Sequence, residues 1–102
     1  MYISNIKHFL DEDGNIVKEM RPSGRKFASF LLLVIDHTTK LQEEEITDID
    51  LRCYKRGCHG YILAELNLQE NTIYWGCTDC GNEGIISEWR GGKWDNTSDE
   101  VG

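Results

Sequence analysis

The sequence predicts a protein of the α+β class, and three features of its 102 residues support this prediction. All four cysteines fall within one stretch, from Cys53 to Cys80, in two closely spaced pairs. A proline at position 22 precedes a long apolar segment with helical periodicity, and short segments around the cysteines have the apolar pattern of strands. We therefore expect an N-terminal helix packed on a small antiparallel sheet.

The two cysteine pairs have the spacing of a four-thiolate metal site. Four residues separate Cys53 from Cys58, two separate Cys77 from Cys80, and eighteen lie between the pairs. Because Zn²⁺ binds thiolate sulfur in a tetrahedron, two cysteines on each of two tight turns can supply all four ligands. We predict that these four cysteines hold a structural zinc ion and that the small sheet is a zinc-ribbon sheet.

Other uses of the cysteines stay open from the sequence alone. A single iron ion is an alternative, because ligand type and geometry do not exclude it. Two disulfides would suit a small secreted protein, but residues 1–13 lack the long apolar segment and cleavage site of a signal peptide. His59 follows Cys58 directly and could replace a cysteine ligand, although such a histidine more often lies beside the site.

Residues 22–40 are predicted to form a helix. Pro22 suits the first helical position, where its missing N–H costs nothing. Phe30 and Val34 belong to an apolar series at the i, i+3, i+4, i+7 spacing of one helix face. The alternative is a buried strand over residues 30–35, and the length of the segment together with the proline favours the helix. We expect Phe30 and Val34 to face the sheet or a second chain.

Short segments around the cysteines are predicted to be strands, since they are rich in β-branched and aromatic residues and bounded by turns. They are residues 46–52, 61–66, 72–75 and 84–89. In the last segment, alternation would place Ile85 and Trp89 on one side and Ile86 on the other. Residues 1–20 allow either a hairpin around the polar turn at 11–15 or an irregular lead-in.

Composition divides the chain into three parts and restricts its partners. We predict an N-terminal segment (1–45), a zinc-ribbon module (46–95) and a polar tail (96–102). The net charge is −7, with both halves acidic, so the whole chain repels nucleic acid and anionic lipid. No apolar run approaches the roughly 20 residues of a membrane helix. The thiol pattern and the missing export signal predict a cytoplasmic protein.

The C-terminal half also carries a resemblance, in the glycines and tryptophans placed around the second cysteine pair. These residues are Gly57, Cys58, Gly60, Ile62, Ile73, Trp75, Cys77, Cys80, Gly81, Gly84, Ile86, Trp89, Trp94 and Asp95. The pattern resembles a family of small, uncharacterised bacterial zinc-ribbon-like proteins, and it covers residues 53–95. The resemblance implies a zinc ribbon preceded by an apolar helix, and it implies no activity.

For the function, the sequence favours a binding module that associates with a protein partner or forms a homodimer. Its possible binding surface comprises Trp94, Arg90, Lys93, Lys55 and Arg56. Nucleic acid is the second candidate, because cations interleaved with aromatic rings hold single strands, although the acidic charge opposes it. We expect no enzyme, since four thiolates leave no open zinc position for water or substrate.

Overall fold

The computed structural model describes residues 1–97, and it has one helix and a five-stranded sheet among them. The strands are β1 (Tyr2–Asn5), β2 (Thr47–Arg52), β3 (Tyr61–Asn67), β4 (Thr72–Cys77) and β5 (Glu83–Ser87). The helix, α1, spans Pro22–Leu41, and a 3₁₀ turn spans Ile6–Phe9. The α+β class is therefore confirmed.

The sheet has the strand order β1-β5-β4-β3-β2. Strands β2 to β5 form an antiparallel meander, while β1 joins the outer edge of β5 in parallel. The predicted small antiparallel sheet is therefore found in β2 to β5, and the first residues of the chain extend it by a parallel strand that was not predicted. Residues 1–20 do not form a regular hairpin. One isolated antiparallel bridge, between Leu10 and Ile16, closes the turn at residues 11–15.

The helix is not the N-terminal element, and this part of the prediction is wrong. β1 and the 3₁₀ turn precede α1, and β1 is placed on the far edge of the sheet from β2. Pro22 occupies the start of α1 as expected, and Gln42 ends it in a left-handed conformation, with φ of 54°. Its N–H donates to the Thr38 carbonyl oxygen, which closes the last turn.

The core lies between α1 and one face of the sheet. Alternate residues of the central strands are buried there, among them Ile62, Ile73, Trp75 and Ile86. Phe30 is 4% exposed, and its ring centroid lies 5.0 Å from that of Trp75. The predicted orientation of Phe30 toward the sheet is therefore found, because the apolar stripe of the helix covers the apolar face of a half-buried sheet.

The opposite face of the sheet has no helix or strand of the described residues packed on it. It carries Leu63 and Tyr74 from the central strands and Ile85 from β5, all half-buried. Ile3 of β1 lies beside Ile85 and is 82% exposed. We call this surface, with its apolar side chains Ile3, Leu63, Tyr74 and Ile85, the open face.

The last predicted strand ends earlier than expected. β5 stops at Ser87, and Glu88 has a φ of 60°, which interrupts the alternation of side chains. Trp89 is consequently 2% exposed and packs in the core with Ile86, where strict alternation would have placed the two on opposite faces. A left-handed residue was not foreseeable from the pattern, since glutamate rarely adopts this conformation.

The division of the chain into three parts stays a prediction, although β1 and residues of the ribbon module share one sheet. The predicted polar tail begins with Asn96 and Thr97, which the structure describes. Asn96 Nδ2 donates to the Asp36 carboxylate of α1 at 3.0 Å, so this residue is attached to the helix. Residues 98–102 of the predicted tail lie outside the described part of the chain.

Candidate metal centre

The structure brings the four cysteine side chains together at one end of the sheet. Cys53 follows β2, Cys58 precedes β3, Cys77 ends β4 and Cys80 precedes β5. Because β3 and β4 pair in register, with Ile62 opposite Cys77, the turns at their ends meet. The pairing of the strands therefore brings together the two cysteine pairs, which lie far apart in the sequence.

The sulfur atoms are spaced as a tetrahedral metal ion requires. All four Sγ atoms lie within 4.8 Å of one another, and none forms a disulfide. The Cys53–Cys80 and Cys58–Cys77 Sγ distances are 3.8 Å and 3.6 Å. Zinc–sulfur bonds of about 2.3 Å at tetrahedral angles place sulfur atoms about 3.8 Å apart. The group can therefore hold a metal ion, and the donor set fits one.

Backbone N–H groups point at the sulfur atoms from the turns. Lys55 N–H donates to Cys53 Sγ at 3.5 Å, and Gly60 N–H and Asp79 N–H donate to Cys58 and Cys77 Sγ at 3.4 Å. Such donors stabilise thiolates, because hydrogen bonds to a charged form favour it. The turns thus prepare the cysteines to ligate in the charged state.

The thiols differ in acidity. For Cys77, burial opposes ionisation, but N–H groups of Cys80 and Asp79 and neighbouring thiols lower its pKa to about 7. For Cys53, burial is the main reason that its pKa is raised to about 12. Thiols this close exchange protons as a group, so one thiolate forms easily and the others form when a cation replaces their protons.

Two glycines are required by the local geometry of the centre. A Cβ atom on Gly60 would lie 2.6 Å from Cys77 Sγ and 2.7 Å from Asp79 Cβ, so this position admits no side chain without displacing a ligand. Gly81 follows Cys80 with a φ of 78°, a conformation that L side chains rarely adopt. The spacing of glycines around the cysteines was therefore a sequence signal for the two turns.

An aromatic cluster connects the metal centre to the helix, and the sequence pattern did not reveal it. Tyr54, the residue after Cys53, has its ring centroid 4.7 Å from that of Phe30 and 5.2 Å from that of Phe27. Tyr2 of β1 joins the cluster at 4.9 Å from Phe27. Aromatic contacts of this kind add to stability beyond the effect of the buried area. Core packing therefore helps to fix the position of the first cysteine turn.

The five residues predicted as a binding surface lie in two places. Lys55 and Arg56 belong to the first cysteine turn. Arg90, Lys93 and Trp94 follow β5 at the other end of the sheet, because β5 runs away from the cysteines. Trp94 is half-buried and packs against the core, and its carbonyl oxygen accepts a hydrogen bond from Thr39 Oγ1 at 3.2 Å. His59 is exposed and outside the sulfur group.

Comparisons with known proteins do not place the chain in a family. No family model, curated protein or solved structure matches it. Among residues 1–97, no helix combines the length and the apolar character needed to cross a bilayer. The fold and the cysteine group therefore carry the functional argument alone.

Proposed function

We propose that the protein is a small zinc-binding interaction module, in which Cys53, Cys58, Cys77 and Cys80 hold a structural Zn²⁺ ion. The observation that carries this proposal is the mutual distance of the four sulfur atoms, all within 4.8 Å. Four thiolates fill the tetrahedron, so the ion stabilises the fold and leaves no position for substrate. A non-catalytic role and membership of the zinc-ribbon-like family are parts of this proposal.

Elemental analysis tests the metal. The protein purified without added metal should carry one zinc ion per chain, and each single Cys→Ser variant should lose most of it. A ferric four-thiolate site absorbs visible light and a zinc site does not, so the absorption spectrum separates zinc from the iron alternative. Full zinc retention in any one variant would remove that cysteine from the ligand set.

The open face supports a protein partner as the target of the module. Ile3 pairs with Ile85 and Ile85 pairs with Tyr74 across neighbouring strands, while Leu63 lies diagonally from Tyr74, opposite Gly76. Large contiguous apolar patches on a protein surface commonly mark interaction sites. One face of the sheet is already used for the core, so the open face is the surface that remains for binding.

Carboxylates on the open face favour a partner with basic and apolar side chains. Asp48 lies opposite Leu63, Glu65 opposite Tyr74, and Glu83 opposite Gly76. The Tyr74 hydroxyl donates to Glu83 Oε1 at 2.6 Å, and this hydrogen bond raises the pKa of Tyr74. With a net charge of −7 on the chain, complementary charges on the partner would speed association and set its orientation.

Site-specific photo-crosslinking in cells tests the open face. A benzoylphenylalanine at position 85 should give adducts of defined mass, and the same group at Ser29, exposed on α1, serves as the matched control. Adding Ile3→Lys should remove the adducts of position 85. Equal adducts from both positions would contradict the proposal, and an adduct of twice the chain mass would identify a homodimer.

Nucleic acid is the second candidate, and one observation favours it. Lys55 and Arg56 at the first cysteine turn form no ion pair within the described residues. Phosphate contacts make binding depend steeply on salt. The test is the binding of single-stranded oligonucleotides to wild type and to a Lys55→Ala, Arg56→Ala double variant. Tight binding that weakens with salt and is lost in this variant would show that the partner is nucleic acid and not a protein.

A further inference from the structure

The two edges of the sheet differ in how they are protected against pairing with another chain. The sheet ends at β2 on one side and at β1 on the other. An edge strand presents unpaired backbone N–H and C=O groups, and proteins commonly protect it with charged side chains, bulges or a covering segment. An edge without these features is a candidate site for association through strand pairing.

The β2 edge has two of these protective features. Its residues include Asp48, Asp50 and Arg52, which are charged and exposed. The pairing of β2 with β3 shifts register between Asp48 and Arg52, and Asp50 has a φ of 59°. A register shift of this kind interrupts the row of outward-pointing backbone groups. The β2 edge is therefore poorly suited to pairing with another strand.

The β1 edge has neither of these two features. Its residues are Tyr2, Ile3, Ser4 and Asn5, none of which is charged, and they pair with β5 without a register shift. Ile3 is 82% exposed and Tyr2 is 43% exposed, so the outer side of the strand is open to solvent. Among residues 1–97, no further strand lies beyond β1. The β1 edge is therefore available for pairing.

The backbone groups of Ile3 point to this free edge. The Ser4 carbonyl oxygen accepts a hydrogen bond from Ser87 Oγ of β5 at 3.4 Å, and the Tyr2 carbonyl oxygen would lie 2.7 Å from a Cβ atom on Gly84 of β5. Both carbonyl groups are thus directed to β5. Because successive residues of a strand direct their backbone groups to opposite edges, the N–H and C=O of Ile3 are directed away from β5. Neither has a hydrogen-bond partner in the described part of the chain.

An outward-pointing donor and acceptor on one residue allow that residue to pair with its own copy. About a two-fold axis beside Ile3, the Ile3 N–H of each chain donates to the Ile3 carbonyl oxygen of the other, as in the hydrogen-bonded pair of an antiparallel ladder. The same register places Tyr2 opposite Ser4 of the second copy and makes the two Ile3 side chains direct neighbours. Two-fold pairing is also the commonest symmetry of homo-oligomers. The β1 edge is therefore complementary to itself.

We propose that β1 pairs antiparallel with β1 of a second copy and joins the two sheets into one continuous sheet. Each chain carries a net charge of −7, so two copies repel each other, and an uncharged edge strand allows contact without bringing charged side chains of the paired strands together. Ile3 lies beside Ile85, so the dimer extends the apolar row of the open face across the two-fold axis. Leu63 and Tyr74 stay accessible, so this dimer goes beyond the partner proposed for the open face and does not depend on it.

The dimer should be weak, because a pair of short strands buries less surface than the roughly 1,600 Å² of a standard interface. We expect a dissociation constant of roughly 10 µM to 1 mM. Since no charged side chain of β1 contributes and two acidic chains repel each other, added salt should strengthen the association slightly. Association that weakens steeply with salt would contradict pairing through an uncharged edge.

Sedimentation of the purified full-length protein over a concentration series tests the proposal. Wild type should pass from monomer to dimer, and Ile3→Lys, which places two cations opposite each other at the axis, should weaken dimerisation about tenfold or more. The matched control is Ile46→Lys, which makes the same change in charge at a residue that is 48% exposed and precedes β2. It should dimerise as wild type does. Because both isoleucines are exposed, both variants should keep the melting temperature of the wild-type monomer.

Amide exchange identifies the edge that is involved. The Ile3 N–H should become more protected as the protein concentration rises, whereas the protection of the Ser4 N–H, which is directed to β5, should change less. A protein that stays monomeric up to about 1 mM, or a dimer that Ile3→Lys leaves intact, would overturn the proposal. Growth beyond a dimer would overturn it too, because two-fold pairing of β1 uses the free edge of both copies and leaves none for a third chain.

Discussion

Replacement of Phe30 by alanine should destabilise the protein strongly, because this ring is the centre of the aromatic cluster between helix and sheet. It is 4% exposed, and its centroid lies 4.7 Å from that of Tyr54 and 5.0 Å from that of Trp75. Truncating a buried phenylalanine to alanine costs about 3–5 kcal/mol. Since two close aromatic contacts are lost, we expect a value near the middle of this range, about 4 kcal/mol.

Urea unfolding measures the effect, with zinc held at the same free concentration throughout, because a bound ion adds to the apparent stability. Leu33→Ala is the matched control, since Leu33 lies on the same helix and is 40% exposed. It should cost less than about 1 kcal/mol. If Phe30→Ala cost no more than this control, the cluster would not hold α1 on the sheet and the description of the core would be refuted.

Three further predictions follow from the metal centre and from the helix. Removing the proposed metal ion with a chelator should increase amide exchange in both cysteine turns earlier than in α1, because the free energy of binding a structural metal ion is part of the folding free energy of a small domain; unchanged protection after verified removal would contradict this. Gly60→Ala should weaken zinc binding, since its Cβ would meet Cys77 Sγ at 2.6 Å, whereas Gly92→Ala, whose Cβ would lie 3.4 Å from the Trp89 carbonyl oxygen, should bind zinc normally in a competition assay. Asp36 has a lowered pKa, because hydrogen bonds from Asn96 and Lys40 outweigh the effect of burial. Its contribution to stability should be present above its unfolded pKa of about 3.8 and lost as the pH falls through the lower folded value. The stability difference between wild type and Asp36→Asn, measured at each pH by urea unfolding, should therefore shrink in acid, and a difference that grows in acid would contradict the argument.

Local patterns in the sequence were sufficient for several elements of the fold. The predicted helix over 22–40 matches α1 because proline placement and apolar spacing agree there. The predicted segments 61–66 and 72–75 match β3 and β4 to within two residues at each end, since alternation and turn residues bound them. The cysteine group was predictable for the same reason, because its two turns have a characteristic spacing.

Non-local pairing explains what the sequence did not reveal. Nothing in the first five residues indicates that β1 pairs in parallel with β5, 82 residues later. Trp89 lies on the core side because Glu88 is left-handed, since a single such residue reverses the face on which the next side chain lies.

The position of the cysteines relative to the sheet links the proposed metal ion to the open face. β3 and β4 are the strands next to the cysteine turns, and they also carry Leu63 and Tyr74 of the open face. Tyr54 of the first turn packs on Phe30, so the proposed ion, the aromatic cluster and these two strands would stabilise one another. Loss of the ion should thus loosen the register of β3 on β4, and with it the arrangement of Leu63, Tyr74 and Ile85. Binding at the open face should then depend on zinc, although no atom of the partner needs to touch the metal centre.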